Sequence, residues 1–282
     1  MTRALLPLLA LLLPLAAAAP AYADAAEARY RLALVHKRAG RLEQALTEVD
    51  AALGMRPSFA SAHFTRGTLL RRLGRTEDAA HAFAEAARLA PENADAHAMH
   101  GAMLLRLRRH EAAIAPLRRA TRLAPESPRH WGNLGVALQR AGQANEALRV
   151  YEEGLTHAPD DPELLNNLAV ALRRARRNEE AIVMLAAALE RSPDSATVHR
   201  NLAVTLRASD RWEEAVPHFL RAIELGEDGP PVLYDLAVCY EQIGRVEEAV
   251  AAYERYAEAV AARDGAAAER ARDRAGRLRG FQ

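Results

Sequence analysis

The sequence has very little cysteine and few aromatic residues. Its 282 residues include one cysteine, Cys239, and aromatic residues make up 5% of the chain. A single thiol cannot form a disulfide within the chain, so bridges do not stabilise this fold. Few aromatic or β-branched side chains are available for strands. A chain dominated by alanine, leucine and arginine instead favours helices.

An excess of charge of either sign is also missing. Lys and Arg number 38, Asp and Glu number 37, and the formal net charge is +1. This balance excludes a global field that would draw the protein onto nucleic acid or an anionic membrane. We therefore expect no nucleic-acid partner, and any preference for a charged ligand must come from how the charges are arranged.

Motifs that carry catalysis or bind phosphate are absent as well. The sequence has no glycine-rich loop followed by Lys and Ser or Thr, no Gly-x-Ser-x-Gly, no His-Glu-x-x-His and no Cys-x-x-Cys. We therefore expect neither enzyme activity nor a cofactor.

One long apolar run is present, and it lies at the N-terminus. It covers residues 4–19, follows Arg3 and precedes the small-residue site Ala21-Tyr22-Ala23. This order predicts a secretory signal peptide over residues 1–23, with Asp24 first in a periplasmic or secreted mature chain. A retained membrane anchor is the alternative, although this run is shorter than the roughly 20 residues that span a bilayer.

A 34-residue repeat fills most of the remaining chain, and one alanine column shows it most directly. The column is Ala45, Ala79, Ala113, Ala147, Ala181, Ala215 and Ala249. Seven repeats without insertion or deletion then cover 26–263, as 26–59, 60–93, 94–127, 128–161, 162–195, 196–229 and 230–263. Residues 264–282 are predicted to form a capping helix and tail, with a disordered basic tail as the alternative.

Other columns indicate how each repeat folds, with places numbered from 1 to 34. Place 8 is always small, place 24 is always bulky, and a proline closes the first five repeats. Apolar places 20, 24 and 27 form one stripe of a helix, and places 4, 7, 8 and 11 form a stripe on an earlier helix. Each repeat is therefore predicted to be a helix–turn–helix that buries its stripes only when stacked on its neighbours.

The turn between the two helices is predicted to contain a left-handed residue. Gly40, Gly74, Gly142 and Gly244 occupy this place in four repeats. Arg108, Arg176 and Asp210 occupy it in the other three. A left-handed conformation at these non-glycine residues costs about 1 kcal/mol each.

These columns resemble the tetratricopeptide repeat. The fit is close in the fourth repeat, at Trp131, Leu134, Gly135, Ala147, Tyr151 and Pro159. The resemblance implies an all-α, right-handed superhelical solenoid of antiparallel helix pairs. It also implies that the first helix of each pair lines a concave face, where places 2, 5, 6, 9, 12 and 13 commonly meet the ligand.

Two rows of residues fall on those places in the later repeats. Place 6 carries Asn133, Asn167 and Asn201, continued by Asp235, and place 9 carries Val136, Val170, Val204 and Val238. A carboxamide donates and accepts, so it can pair with a peptide backbone of any sequence. The asparagine row resembles the ladder in the repeat superhelix of O-GlcNAc transferases, which grips extended peptides. The alternatives are bonds to a neighbouring helix for the asparagines and burial between helices for the valines.

A basic rim occupies places 12 and 13 of the first six repeats. It consists of Lys37, Arg38, Arg71, Arg72, Arg106, Arg140, Arg173, Arg174 and Arg207. We interpret this rim as a preference for an acidic, extended protein segment. The alternative is a solvated face whose charges are paired with Asp and Glu on adjacent helices.

The sequence therefore predicts a non-catalytic scaffold or adaptor that holds a protein or peptide partner on its concave face. An accessory subunit of an envelope glycan or glycosyltransferase system is the second hypothesis, and it rests only on the resemblance to the transferase repeats. We expect a monomer, with self-association through exposed solenoid ends as the alternative. A three-histidine metal site is one hypothesis for His63, His97 and His100. Packing between helices is the alternative for them, and we assign no metal ligand.

Overall fold

The protein is all-helical in the computed structural model, which describes residues 15–280 and their side chains from Asp24 onward. The described residues form fifteen α-helices and no strand. Residues 1–14 of the predicted signal peptide lie outside the described residues, so that peptide stays a prediction. None of the described helices combines the length and the apolar character needed to cross a membrane.

The chain divides into two compact parts, one ending at Ala124 and the other beginning at Pro125. The N-terminal part contains α1 (Leu15–Arg38), α2 (Leu42–Met55), α3 (Ala60–Arg72), α4 (Thr76–Leu89), α5 (Ala94–Arg106) and α6 (His110–Leu123). The C-terminal part contains α7 (Pro128–Arg140), α8 (Ala144–His157), α9 (Pro162–Arg174), α10 (Asn178–Arg191), α11 (Ala196–Arg207), α12 (Trp212–Glu224), α13 (Pro230–Gln242), α14 (Val246–Val260) and α15 (Gly265–Gly280).

The helices of each part pack in the order in which they follow one another along the chain. The first helix of a repeat packs on the second helix of the same repeat, and that second helix packs on the first helix of the next. In the C-terminal part the first helices also contact one another, α7 with α9, α9 with α11, and α11 with α13. Side chains at the same place of successive repeats therefore lie next to one another on one surface.

The small and bulky columns fit together inside each repeat. The ring of Tyr151 is fully buried, and a Cβ added to Gly135 would lie 2.2 Å from it. A Cβ on Gly101 would lie 2.4 Å from Leu117, and one on Gly67 would lie 2.9 Å from Phe83. Place 8 is small because the place 24 side chain fills the space beside it.

The turns have the left-handed residues that the sequence predicts. Backbone φ is positive at Gly40, Gly74, Gly142 and Gly244, and also at Arg108 (59°), Arg176 (65°) and Asp210 (57°). The three non-glycine residues therefore adopt a conformation that L-amino acids disfavour. The prediction for these turns is confirmed, and the packing of the flanking helices holds the strained residues in place.

The last described helix, α15, packs on α14. It buries Ala267, Ala268, Ala271 and Ala275. The Asp264 carboxylate accepts a hydrogen bond of 2.9 Å from the Ala267 backbone N–H, which caps the helix start. Of the two alternatives for this segment, the described residues adopt the helical one.

Candidate partner-binding surface

The ladder residues lie one to a helix on the first helices of the C-terminal part. Asn133 is on α7, Asn167 on α9, Asn201 on α11 and Asp235 on α13. Because these helices contact one another in sequence, the four side chains and the neighbouring place 9 valines follow one surface. All four valines are half-buried. We call this surface, formed by places 5, 6, 9, 12 and 13 of repeats four to seven, the inner surface of the C-terminal part.

Two of the asparagines are available to a ligand. Asn133 and Asn167 are half-buried, and neither carboxamide has a hydrogen-bond partner among the described residues. Both line a small cavity of about 80 Å³ together with Val136 and Glu163. The structure leaves room beside these carboxamides, and their donors and acceptors are unused.

Asn201 is used differently. It is only 6% exposed, and its Nδ2 donates a hydrogen bond of 2.7 Å to Oδ1 of Asn166 on the preceding first helix. This is the neighbouring-helix bond that the sequence left open as the alternative. Asn201 therefore links α9 to α11, while Asn133 and Asn167 keep their hydrogen-bonding groups free.

Asp235, the last residue of the ladder, lies close to arginine side chains. Its Oδ1 lies 3.4 Å from Nε of Arg207. Burial raises the pKa of Asp235 above its ordinary value, and the nearby Arg207 and Arg173 act in the opposite direction. The carboxylate is therefore a partner for the rim arginines, and it is less free for a ligand than Asn133 or Asn167.

Four arginines gather around this end of the ladder. Burial lowers the pKa of Arg173, and the positive charges of Arg174, Arg200 and Arg207 lower it further. The Arg173 Nε is buried with no hydrogen-bond partner. Of the four, Arg207 is near Asp235, and Nε of Arg200 lies 2.6 Å from Glu227. Four guanidinium groups thus share two carboxylates, which makes the cluster attractive to an anion.

The sequence interpretation missed Arg200. It stands at place 5 of the sixth repeat, one of the places that the resemblance associates with ligands. Place 5 holds Asn166 and Tyr234 in the adjoining repeats, so no common residue type draws attention to the column. Only the distances in the structure bring Arg200 into the cluster.

The rest of the rim forms no ion pair among the described residues. Of the nine rim cations, Arg207 is the one with an Asp or Glu within 4 Å. Some arginines that directly precede a second helix behave differently, as in the pairs of Arg177 with Glu180 and Arg211 with Glu214. In the N-terminal part, burial lowers the pKa of Lys37, and the charge of Arg72 lowers it further. The rim thus keeps its positive charge largely uncompensated.

Two of the three histidines considered for metal form hydrogen bonds with backbone carbonyls. Nε2 of His63 donates to the carbonyl of Pro57 at 2.8 Å, and Nε2 of His97 donates to the carbonyl of Pro91 at 3.1 Å. Trp131 makes the equivalent bond to Pro125 at 2.7 Å. Within residues 15–280, no group of three or more His, Cys, Asp or Glu is placed to hold a metal ion. Place 4 therefore ties the first helix to the proline loop before it.

Three family models match the chain, and each describes a tetratricopeptide repeat. The first matches residues 30–79 and 64–128, the second matches residues 160–228 and 194–262, and the third matches residues 133–171. The chain is a tetratricopeptide repeat protein. Its fold is all-α and built from helix pairs, as the sequence predicts, and members of this family are typically non-catalytic interaction scaffolds.

Solved structures of other tetratricopeptide repeat proteins resemble this one. YrrB, described as having an unusual peptide-binding site, is 26% identical over 64% of this chain and 96% of its own, with a TM-score of 0.55. The Pseudomonas aeruginosa protein pilF is 20% identical over 80% of this chain and 99% of its own, with a TM-score of 0.61. A Parabacteroides merdae repeat protein is 12% identical over 89% and 98%, with a TM-score of 0.66. No curated protein matches the sequence.

Proposed function

We propose that this tetratricopeptide repeat protein is a non-catalytic adaptor that binds an extended, acidic segment of a partner protein on the inner surface of its C-terminal part. The observation that carries the proposal is the combination of free carboxamides on Asn133 and Asn167 with unpaired rim arginines on the same helices. Arg140 follows Asn133 by seven residues, and Arg174 follows Asn167 by seven. That spacing brings both groups to one side of a helix.

The two residue types have different tasks. A carboxamide can donate to a backbone carbonyl and accept from a backbone N–H, so Asn133 and Asn167 would hold an extended chain without reading its side chains. A net hydrogen bond contributes only about 1 kcal/mol, whereas a micromolar complex requires about 8 kcal/mol. The arginines and the half-buried valines must supply the remainder, which makes acidic side chains the favoured ligand.

The likeness to YrrB supports peptide binding. That protein is described as a tetratricopeptide repeat protein with a peptide-binding site, and it is 26% identical to this chain. We carry over the kind of ligand, an extended peptide. The acidic preference is argued from the unpaired rim of this chain.

Fluorescence anisotropy with a labelled peptide tests the proposal. The probe is an alternating Glu and Ser peptide of about 12 residues, about 40 Å long when extended, and a Lys and Ser peptide of equal length is its counterpart. We expect the acidic peptide to bind and the basic one not to bind. Replacing Asn133 and Asn167 together by Ala removes at least one hydrogen bond per residue, so the Kd is expected to rise at least about thirtyfold.

The matched control is Asn145→Ala, which removes an exposed asparagine from α8. It is expected to leave both the Kd and the far-ultraviolet circular dichroism unchanged. Equal affinity of wild type and the Asn133, Asn167 double variant would remove the ladder from the proposal. Equal binding of the two peptides would remove the acidic preference.

We also propose that the protein is exported. The support is the order of charge, apolar run and small-residue site in residues 1–23. The backbone of α1 continues through the predicted junction, from Leu15 to Arg38. Mass spectrometry of the protein from an expressing bacterium is expected to find a chain beginning at Asp24 in the periplasmic or secreted fraction. An intact chain that retains residues 1–23 would contradict cleavage.

A further inference from the structure

A cleft of about 640 Å³ lies between α13, α14 and α15. One side presents Tyr234 and Val238 of α13 with Tyr256 of α14, and the other presents Arg270 and Arg277 of α15. Tyr234 and Val238 are places 5 and 9 of the seventh repeat. The cleft therefore opens at the α13 end of the inner surface of the C-terminal part.

The aromatic side of the cleft is held in place but still exposed. The Tyr234 ring packs at 5.2 Å from the ring of Tyr256 and at 5.9 Å, edge to face, from the ring of Tyr253. Tyr234 is nevertheless 44% exposed, one of few large hydrophobic side chains of the described residues left so open. Three rings that support one another leave a face of Tyr234 available to a further apolar group.

The cleft exists because α15 brings small side chains to this place. Ala267 and Ala271 of α15 line it. Tyr256 stands at place 27, where the six earlier repeats have Ala or Gly. The tyrosine extends the aromatic side, while the alanines leave the space beside it unfilled.

Two cations of the cleft form no ion pair among the described residues. Glu241 forms an ion pair with Arg274 and accepts a hydrogen bond of 2.8 Å from the Tyr253 hydroxyl. Burial acts to raise the pKa of Glu241, but the bonds from Arg274 and Tyr253 and the nearby charges of Arg274 and Arg277 bring it below its ordinary value, so this carboxylate is ionised and satisfied. Neither Arg270 nor Arg277 has an acidic side chain within ion-pair distance among the described residues. Asp273 also lines the cleft, so three arginines there face two carboxylates.

We propose that this cleft is an anchoring pocket for one bulky aromatic side chain of the bound segment, whose neighbouring carboxylates meet Arg270 and Arg277. The proposal rests on the proposed function, since it concerns the same acidic segment at the end of the same surface. The exposed Tyr234 ring attracts an aromatic group, and the two guanidinium groups without an ion pair favour an acidic sequence around it.

Three labelled peptides test this pocket on the chain that begins at Asp24. The first is the alternating Glu and Ser peptide, and the other two carry one Trp in place of the first or the last Ser, because the direction of the bound chain is open. With wild type, one Trp peptide is expected to bind about five- to tenfold more tightly than the Trp-free peptide. Tyr234→Ala is expected to abolish that gain, so that the Trp peptide and the Trp-free peptide bind the variant with equal Kd.

Matched variants distinguish binding of the Trp side chain in the cleft from losses caused by removing any exposed apolar or charged side chain. Tyr234→Phe keeps the ring and is expected to keep the Trp gain. Leu220→Ala shortens another exposed apolar side chain, 39% exposed on α12, and is expected to have no effect. Arg270→Glu is expected to weaken the Trp peptide at least threefold more than Arg272→Glu, an exposed change on the same helix outside the cleft.

The outcomes distinguish this inference from the proposed function. If the Trp-free peptide binds and neither Trp peptide gains, the pocket is overturned and the acidic surface stands. If the Trp gain survives Tyr234→Ala, the aromatic group binds elsewhere and the pocket is again overturned. If none of the three peptides binds, both proposals fail.

Discussion

The N-terminal and C-terminal parts share the same packing columns, but the first helices of their repeats carry different polar side chains. Both place a small residue against a bulky one, as Gly67 does with Phe83 and Gly135 with Tyr151. At place 6, however, the N-terminal part has Arg31, Thr65 and Met99 where the C-terminal part has asparagines. Thr65 is buried and bonded to the Tyr30 hydroxyl at 3.1 Å.

The difference separates what the fold requires from what a ligand requires. Places 8 and 24 face the interior in every repeat, and place 27 does so in the first six, so packing fixes the residue size there. Place 6 faces outward in α7 and α9, where Asn133 and Asn167 are half-buried without internal partners. The asparagine row appears in the C-terminal part only and is not required by packing, which is why we propose that part as the binding surface. Four experiments can break or sharpen this comparison.

The largest effect is expected from adding a methyl group at place 8. Gly135→Ala would bring a Cβ to 2.2 Å from the fully buried Tyr151 ring, whereas Gly67→Ala would bring one to 2.9 Å from Phe83. Overpacking of a core typically costs about 1–3 kcal/mol. We expect Gly135→Ala near the upper end and Gly67→Ala near the lower end, measured by urea unfolding.

The control for these two is Gly54→Ala. A Cβ at this helical glycine meets nothing within 4 Å, so alanine is expected to be neutral or stabilising by up to about 1 kcal/mol. Equal costs at Gly135 and Gly67 would show that both parts relax around place 8 to the same degree.

The next effect compares the rim of the two parts. Arg140→Glu with Arg174→Glu reverses two exposed place 13 charges beside the free asparagines, and Arg72→Glu with Arg106→Glu reverses the matching charges of the N-terminal part. Surface charge pairs are worth up to about 1 kcal/mol each. We expect the first pair to raise the Kd of the Glu and Ser peptide about tenfold and the second pair to raise it less than about threefold. Equal losses would mean that the basic rim acts without regard to the ladder.

A smaller effect is expected at the strained turns. Arg108→Gly in the N-terminal part relieves a residue at φ 59°, and Asp210→Gly in the C-terminal part relieves one at φ 57°. The gain at Arg108 is expected to be about 0.5–1 kcal/mol in thermal unfolding, and that at Asp210 smaller, because Asp tolerates the left-handed region better than Arg. A loss of stability at Arg108 would show that its side chain contributes more than the strain costs.

The smallest effect concerns pH and a histidine pair of the C-terminal part. Nδ1 of His199 and Nδ1 of His218 lie 3.0 Å apart, and Nε2 of His199 donates to the Pro193 carbonyl at 2.9 Å. The His199 Nδ1 is then the acceptor, and His218 donates to it in the neutral form. Burial lowers the pKa of His218, the neighbouring His199 lowers it further, and Glu214 opposes the shift.

The direction of the pH dependence follows from the difference in proton binding between the folded and the unfolded chain. The unfolded chain binds a proton at His218 near pH 6.5, and the folded chain binds it only at lower pH. Stability is therefore intact above about pH 6.5 and declines as the pH falls towards the folded value. His218→Gln keeps a donor without titrating, so the decline between pH 7 and pH 5 is expected to shrink by a few tenths of a kcal/mol. In the N-terminal part, His100 also has a lowered pKa, chiefly from burial, so a residual decline should remain. An unchanged decline would assign the pH dependence to other groups.

Much of the fold could be predicted from the sequence because the same residue types recur at a fixed spacing. A column that recurs every 34 residues reports a place that each repeat packs in the same way, and the turn residues Arg108, Arg176 and Asp210 were found by their column alone. The candidate site was harder to predict. The same residue type stands at place 6 in three repeats, as Asn133, Asn167 and Asn201. Only the structure shows that Asn201 forms a hydrogen bond with Asn166 while the other two carboxamides remain free.

Two features lay beyond the columns altogether. Arg200 joins the arginine cluster through a place whose residue type varies, and the cleft beside Tyr234 depends on the alanines of α15. Each depends on distances between residues that the repeat period does not relate.

The sequence by itself determined the helical class, the repeat and its length, the left-handed turns and the positions that must be small or large, because local propensity and a strict period express these directly. Only the tertiary structure decided which polar side chains bond to one another and which stay free, and where a space remains between helices. Those outcomes depend on the last ångström of separation between side chains from different helices, and packing of the whole chain sets that separation.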